Sequence, residues 1–207
     1  NPYDMGIEQN VPMKNGIIET FKELSSKIGP DRVIWRYDPI ILSDNITLDY
    51  HIRYFEEIAR RLQGHTKTCV ISFLDLYKKT ERNLRNTSAR ELAESEMLKI
   101  ATHISLIAHR YCIDSVLIED LLGVKLVVSK DKNQRPECGC VQSIDIGEYN
   151  TCSHNCKYCY ANFNGQKVQE KVRLHDPNSP LLIGNIKPDD KITERKIFSF
   201  IGDKSLF

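Results

Sequence analysis

A chain of 207 residues with 41% hydrophobic and 28% charged residues can build one domain with a substantial core, and it is neither disordered nor fibrous in composition. Lys and Arg (29) nearly balance Asp and Glu (28), so no overall field draws the protein to nucleic acid or to an anionic membrane surface. No apolar run approaches the roughly eighteen residues of a spanning helix and no signal-peptide pattern opens the chain, which predicts a cytoplasmic protein without a membrane partner. The start at Asn1, without methionine, reads as a fragment, a processed form or the ordered part of something longer.

In chain order, the spacing of Ile17, Ile18, Phe21, Leu24 and Ile28 predicts a helix from Lys14 to Ile28, ended by Gly29-Pro30. Arg32 to Tyr37 reads as a short buried strand stopped by Asp38-Pro39. Asn45 or Thr47 is placed to cap a second helix from about Leu48 to Leu62, with Gly64 just past its end. Cys69 to Leu74 reads as a second strand. A third helix is expected from about Ala89 to Arg110, carrying Leu92, Leu98, Ile100, Ile104 and Leu106.

Helices alternating with strands are the pattern of a parallel α/β sheet. The expected fold is therefore α/β, a partial or complete parallel β/α barrel of TIM type. No Gly-rich phosphate fingerprint follows either strand, which counts against a dinucleotide-binding sheet. Val124 to Val128 reads as a further strand. The expected parts are a barrel-like portion (1–128), a polar Cys-rich segment (129–174) and a C-terminal tail (175–207) packed on the body or partly disordered.

The seven cysteines are Cys69, Cys112, Cys138, Cys140, Cys152, Cys156 and Cys159. An odd number, with five between positions 138 and 159, is a poor disulfide framework and suits metal or cluster ligation. Cys152-Ser153-His154-Asn155-Cys156-Lys157-Tyr158-Cys159 spells C-x3-C-x2-C. Three thiolates on a four-iron cubane leave one iron without a protein ligand, a corner open to chemistry. The alternative is a structural zinc site drawn from Cys138, Cys140, Cys152, Cys156 and Cys159, with His154 as a further candidate ligand, although only Cys156-x2-Cys159 has the usual zinc-hook form. Cys138 and Cys140 are candidates for a second cluster together with Cys112, or for structural thiols. Cys69, inside an apolar strand, reads as a small buried hydrophobe, and His154 as an exposed loop residue.

This motif, with Tyr158 just before its last cysteine, resembles the signature of the radical S-adenosylmethionine superfamily. Cys159-Tyr160-Ala161-Asn162 is similar to spore photoproduct lyase and its relatives. The stretch from Asp131 through Cys138-Gly139-Cys140 to Tyr160, with Ile34 to Pro39 and Ser72 to Tyr77, resembles an uncharacterised family, a domain of unknown function with its cysteines near the C-terminus. The resemblance implies a [4Fe–4S] cluster on Cys152, Cys156 and Cys159 and S-adenosylmethionine on the unique iron. Tyr158 would shield the cluster and offer backbone contacts to the cofactor. Reductive cleavage of that cofactor would give a 5′-deoxyadenosyl radical acting on an unknown substrate, with an electron donor protein as partner. In most such enzymes the motif follows the first barrel strand; here it follows the α/β part, and part of the barrel is expected to be missing from this sequence.

In parallel α/β folds, ligands gather at the C-terminal ends of strands. Arg36 and Asp38 end the first strand and Asp75 and Tyr77 the second, which makes them candidates for binding a substrate acid, a phosphate or the cofactor. A structural ion pair explains Arg36 and Asp38 equally well. Lys78, Lys79, Arg82 and Arg85 read as a solvated helix start, and His103 and His109 as surface or packing residues. The closing Ser205-Leu206-Phe207 loosely resembles the peptides with which bacterial repair proteins dock on the sliding clamp. Two rival readings follow: a non-catalytic iron–sulfur or zinc module, and a DNA-associated repair protein related to the spore lyase, whose binding to nucleic acid would depend on salt.

Overall fold

The β-branched and aromatic run after Arg32 forms β1 (Ile34–Ile40), and the run after Lys67 forms β2 (Thr68–Phe73); the two lie side by side in parallel. Their register runs from Ile34 opposite Thr68 to Tyr37 opposite Ile71, then shifts before Ile40 meets Phe73. The shift falls at Pro39, which has no N–H for the ladder and follows a cis peptide bond from Asp38. The strand thus continues past the Asp38-Pro39 stop that its sequence suggests. This computed structural model describes residues 1–76, 78–113, 129–132, 141, 144 and 146–194. Tyr77, Cys138, Cys140, the Val124 to Val128 run and the Ser205-Leu206-Phe207 end lie outside the described residues.

Helix α1 (Lys14–Ile28) precedes the strands, and Gly29 ends it at φ 92°, a left-handed conformation that glycine adopts without Cβ strain. Helix α2 (Leu48–Leu62) carries the chain from β1 to β2, and Thr47 caps it by accepting from Tyr50 N at 3.3 Å. A short α3 (Lys78–Leu84) occupies the basic stretch. Helix α4 (Glu94–Arg110) starts five residues later than its apolar residues suggest. Ala93 has no side-chain acceptor, so Glu96 reaches back to Ala93 N at 2.9 Å while Arg90 grips the same carboxylate at 2.7 and 2.8 Å.

The core lies where α2 and α4 cover the sheet. Trp35 and Tyr37 point into it from β1, with the rings of Trp35 and Phe55 stacked 4.5 Å apart. Helix α4 presents Ile100, Ile104, Ile107 and Ala108, an i, i+4, i+7, i+8 face. Leu98 and Leu106 of the same helix are 68% and 65% exposed because they lie off that face. A second, smaller cluster joins Tyr3, Ile7, Ile41, Ile46, Leu74 and Leu84 across the C-terminal ends of the strands.

The expected barrel does not form. Among the described residues there is one two-stranded parallel sheet with five helices, the last being α5 (Gly165–Arg173). Alternation of helix and strand specifies the parallel pair and its crossover, but closing a barrel of TIM type takes about eight strands. Ahead of α5, the described residues around Cys152, Cys156 and Cys159 form turns that dock on the N-terminal segment. No described helix is long and apolar enough to cross a membrane.

Candidate functional site

The three clustered cysteines sit on a loop clasped at its base. Asn150 is buried at φ 58°; its N–H donates to Ala161 O at 3.0 Å, and its Oδ1 accepts from Phe163 N and Asn164 N at 2.9 and 3.1 Å. One asparagine in the left-handed region, which that residue tolerates, closes both ends of the loop. Within it, Cys159 N donates to Cys156 O at 3.1 Å, Asn162 Nδ2 donates to Cys152 O, and Asn155 turns the chain at φ 52°. Just beyond, Asn164 caps α5 by accepting from Lys167 N at 3.0 Å.

The loop docks on residues 7–10. Lys157 N donates to Ile7 O and Asn10 N to His154 O, both at 3.0 Å, around an antiparallel bridge between Glu8 and Cys156. Asn10 Nδ2 donates to Ser153 O at 2.9 Å, and Asn155 Nδ2 to Gln9 Oε1. Glu8 is only 4% exposed, and its carboxylate receives both Lys14 Nζ and the Tyr158 hydroxyl. The Tyr158 ring packs on the second apolar cluster, edge-on to Tyr3 at 6.2 Å between centroids. Burial, with the Glu8 carboxylate beside it, holds the Tyr158 hydroxyl protonated far above its ordinary range.

Cys156 and Cys159 are half-buried and Cys152 is exposed. Burial raises the Cys156 thiol above its ordinary value; the Tyr158 hydroxyl opposes this, while the charges of Glu8, Cys159 and Cys152 add to it. Among the described residues, no group of three or more His, Cys, Asp or Glu side chains is gathered tightly enough to hold a metal ion. Cys112 is exposed at the C-terminal end of α4, at φ 56°, and is not among the groups acting on Cys156. Cys69 is half-buried in β2, and burial pushes its thiol up to about 12. His154 is exposed.

A cleft of about 340 Å³ opens beside Cys156, between α1 and the edge of β1. Arg36 lines it with Ile34 and Trp35, so the N-terminal half of β1, not its C-terminal end, shares this cavity with the cysteine loop. Arg36 donates through Nε and Nη2, at 3.1 and 2.5 Å, to the single oxygen Asp38 Oδ2, which leaves Nη1 outside the pair. Lys14, Glu8, Tyr158 and Asn1 complete its polar end, and Ile17, Phe21, Ile34 and Trp35 form the apolar wall. A smaller hollow of about 200 Å³ lies on the other side of the loop, among the amides of Gln9, Asn83, Asn155 and Asn162. Asp75 is exposed after β2 and lines neither space.

Glu8, Lys14 and Asn150 carry much of this geometry and have no local sequence signature. Glu8 meets Tyr158 across 150 positions, which no spacing rule reaches. Only Asn164-Gly165, a helix cap followed by a glycine, is readable in place.

The C-x3-C-x2-C loop is thus folded back on the start of the chain, beside a cleft at the N-terminal half of β1. The chain belongs to the family described as Domain of unknown function (DUF1848), whose model matches residues 1–111 and 105–161. Those spans take in Glu8, Lys14, Arg36 and all three motif cysteines. No curated protein matches the chain, and no solved structure does.

Proposed function

We propose that this is an iron–sulfur protein of the radical S-adenosylmethionine type, with a [4Fe–4S] cluster on Cys152, Cys156 and Cys159. The observation that supports this reading is the clasped loop, which carries Cys152, Cys156 and Cys159 at C-x3-C-x2-C spacing, with Cys156 lining a cleft. A single zinc ion, with Zn–S bonds of about 2.3 Å, would draw its ligands into one tight tetrahedron. A cubane spreads them over separate irons, which suits thiols strung along a loop of this length. When bound, such a cluster supplies an electron and one coordination position for S-adenosylmethionine.

The chain's own residues have separable tasks in this reading. Asn150 and the contacts to residues 7–10 hold the loop in place. Tyr158 fixes its middle through ring packing and through its hydrogen bond to Glu8, which sets the loop position that carries Cys156 and Cys159. The backbone around Tyr158 remains the proposed contact for the cofactor. An electron donor protein is the partner that the reaction requires.

The test is iron and acid-labile sulfide analysis, with absorption spectra, on protein purified without oxygen beside Cys156→Ala. A brown protein whose iron and sulfide are lost in the variant supports the cluster, and 5′-deoxyadenosine formed on addition of dithionite and S-adenosylmethionine supports the radical chemistry. Zinc alone, with no iron taken up on reconstitution, sinks the proposal.

A further inference from the structure

The cleft between α1 and β1 has the makings of a ligand site in its own right. Lys14 and Arg36 line it as cations, but Lys14 is paired with Glu8 and Arg36 with Asp38, so what the lining offers an anion is guanidinium N–H donors rather than net positive charge. Arg36 is 62% exposed and keeps Nη1 outside its pair with Asp38, which leaves a planar donor for a carboxylate. Asn1 Oδ1, at the same end, is a buried acceptor without a hydrogen-bond partner, while Asn1 Nδ2 is held on Pro39 O at 3.0 Å. A buried acceptor left unpaired costs free energy, and a ligand N–H or O–H would relieve it. Away from these groups the wall is apolar, with Ile17 and Ile34 exposed in it and Trp35 at its floor.

We infer that this cleft binds a small organic carboxylate that carries an apolar, flat body and a neutral N–H or O–H donor near the acid. The carboxylate meets Arg36, the donor meets Asn1 Oδ1, and the body lies along Ile17, Phe21 and Ile34. A volume of about 340 Å³ is at the small end of ligand pockets and sets the size of such a molecule. Because Cys156 lines the same cleft, this ligand is the substrate class of the proposed chemistry. That last assignment rests on the proposed function, whereas the binding does not.

Trp35 is the chain's one tryptophan and lines the cleft, so its emission reports occupancy directly. The probe is N-acetyl-L-phenylalanine, which has all three features, titrated into the full chain with and without reconstituted iron. Three analogues each delete one feature: the phenylalanine amide loses the charge, 3-phenylpropanoate the N–H, and N-acetylglycine the body. Saturable quenching or enhancement by the full probe is expected, about tenfold weaker or worse for the uncharged amide and in Arg36→Ala. Ile17→Glu, which sets a carboxylate in the wall at the acid-tolerant start of α1, should abolish binding while the circular dichroism is kept. No saturable change up to about 10 mM, or equal affinity for the amide and the acid, overturns the inference. A cluster without probe binding would remove the cleft assignment alone, and probe binding to a protein that takes up no iron would remove the proposed function alone.

Discussion

The sheet with its helices and the cysteine loop are held by different forces. In the first, Tyr37, Ile40 and Phe55 are fully buried and the contacts are overwhelmingly apolar. In the second, backbone bonds, asparagine side chains and one tyrosine do the fixing, and Tyr149, Tyr160 and Phe163 of the loop and its flanks stay substantially exposed. Burial of area tolerates small losses anywhere, whereas a polar clasp depends on a few atoms. A loop built in the second way gains most from a bound metal, because metal–sulfur bonds supply stabilisation that its apolar residues do not.

The largest expected effect tests the first region. Phe55→Ala removes a ring stacked on Trp35 and should cost about 3–5 kcal/mol, read as a lower urea midpoint for the whole chain. Next, Tyr158→Phe keeps the ring in the second cluster but takes a hydroxyl from Glu8, and should cost about 1–3 kcal/mol. Here the loss should be local. Hydrogen exchange should quicken over residues 150–164 and leave the Trp35 layer unchanged; equal quickening in both would break the comparison.

A smaller effect comes from His51, which is buried between the two clusters. Its Nε2 meets Ile41 O at 2.8 Å and its Nδ1 meets the Tyr37 hydroxyl at 2.9 Å. The carbonyl only accepts, so Nε2 carries the proton and Tyr37 donates to Nδ1. Burial lowers the pKa of His51 from its ordinary 6.5. The unfolded chain then binds the extra proton first, so this contribution is full above about pH 6.5 and is lost as pH falls toward the folded value. Urea midpoints at about pH 7.5 and about pH 5.5 should differ in that direction, and His51→Gln should flatten the slope. The smallest change is expected at Arg60, whose pair with Glu57 is on the open surface: Arg60→Ala should leave the midpoint where it was.

Sequence periodicity locates α1 and α2 to the residue at both ends, and both strands to within a few residues, because these elements are decided by neighbours a few positions away. It does not separate the exposed Leu98 and Leu106 from the buried Ile100 and Ile104, since an apolar residue does not say which face of a helix meets the sheet. The number of strands is less legible still, for a crossover unit looks the same in an open pair as in a barrel. For the site, the cysteine spacing and the Arg36–Asp38 pairing stand out in the sequence, while Glu8 and Asn150 do not. Their meaning lies in partners that only the folded chain brings near.

The bonds from Asn155 to Gln9 and from Tyr158 to Glu8 join residues 146 and 150 positions apart. On the ribosome, the N-terminal half of that clasp is made long before the other half exists. The sheet and helices α1 to α4 are synthesised before the loop that brings Asn155 and Tyr158 to Gln9 and Glu8. Loop closure over such a length grows only slowly in entropy, so the late return is affordable in equilibrium, but it comes late in time. The cysteine loop therefore closes onto elements made well before it, and the clasp is completed only once both ends of the interaction exist.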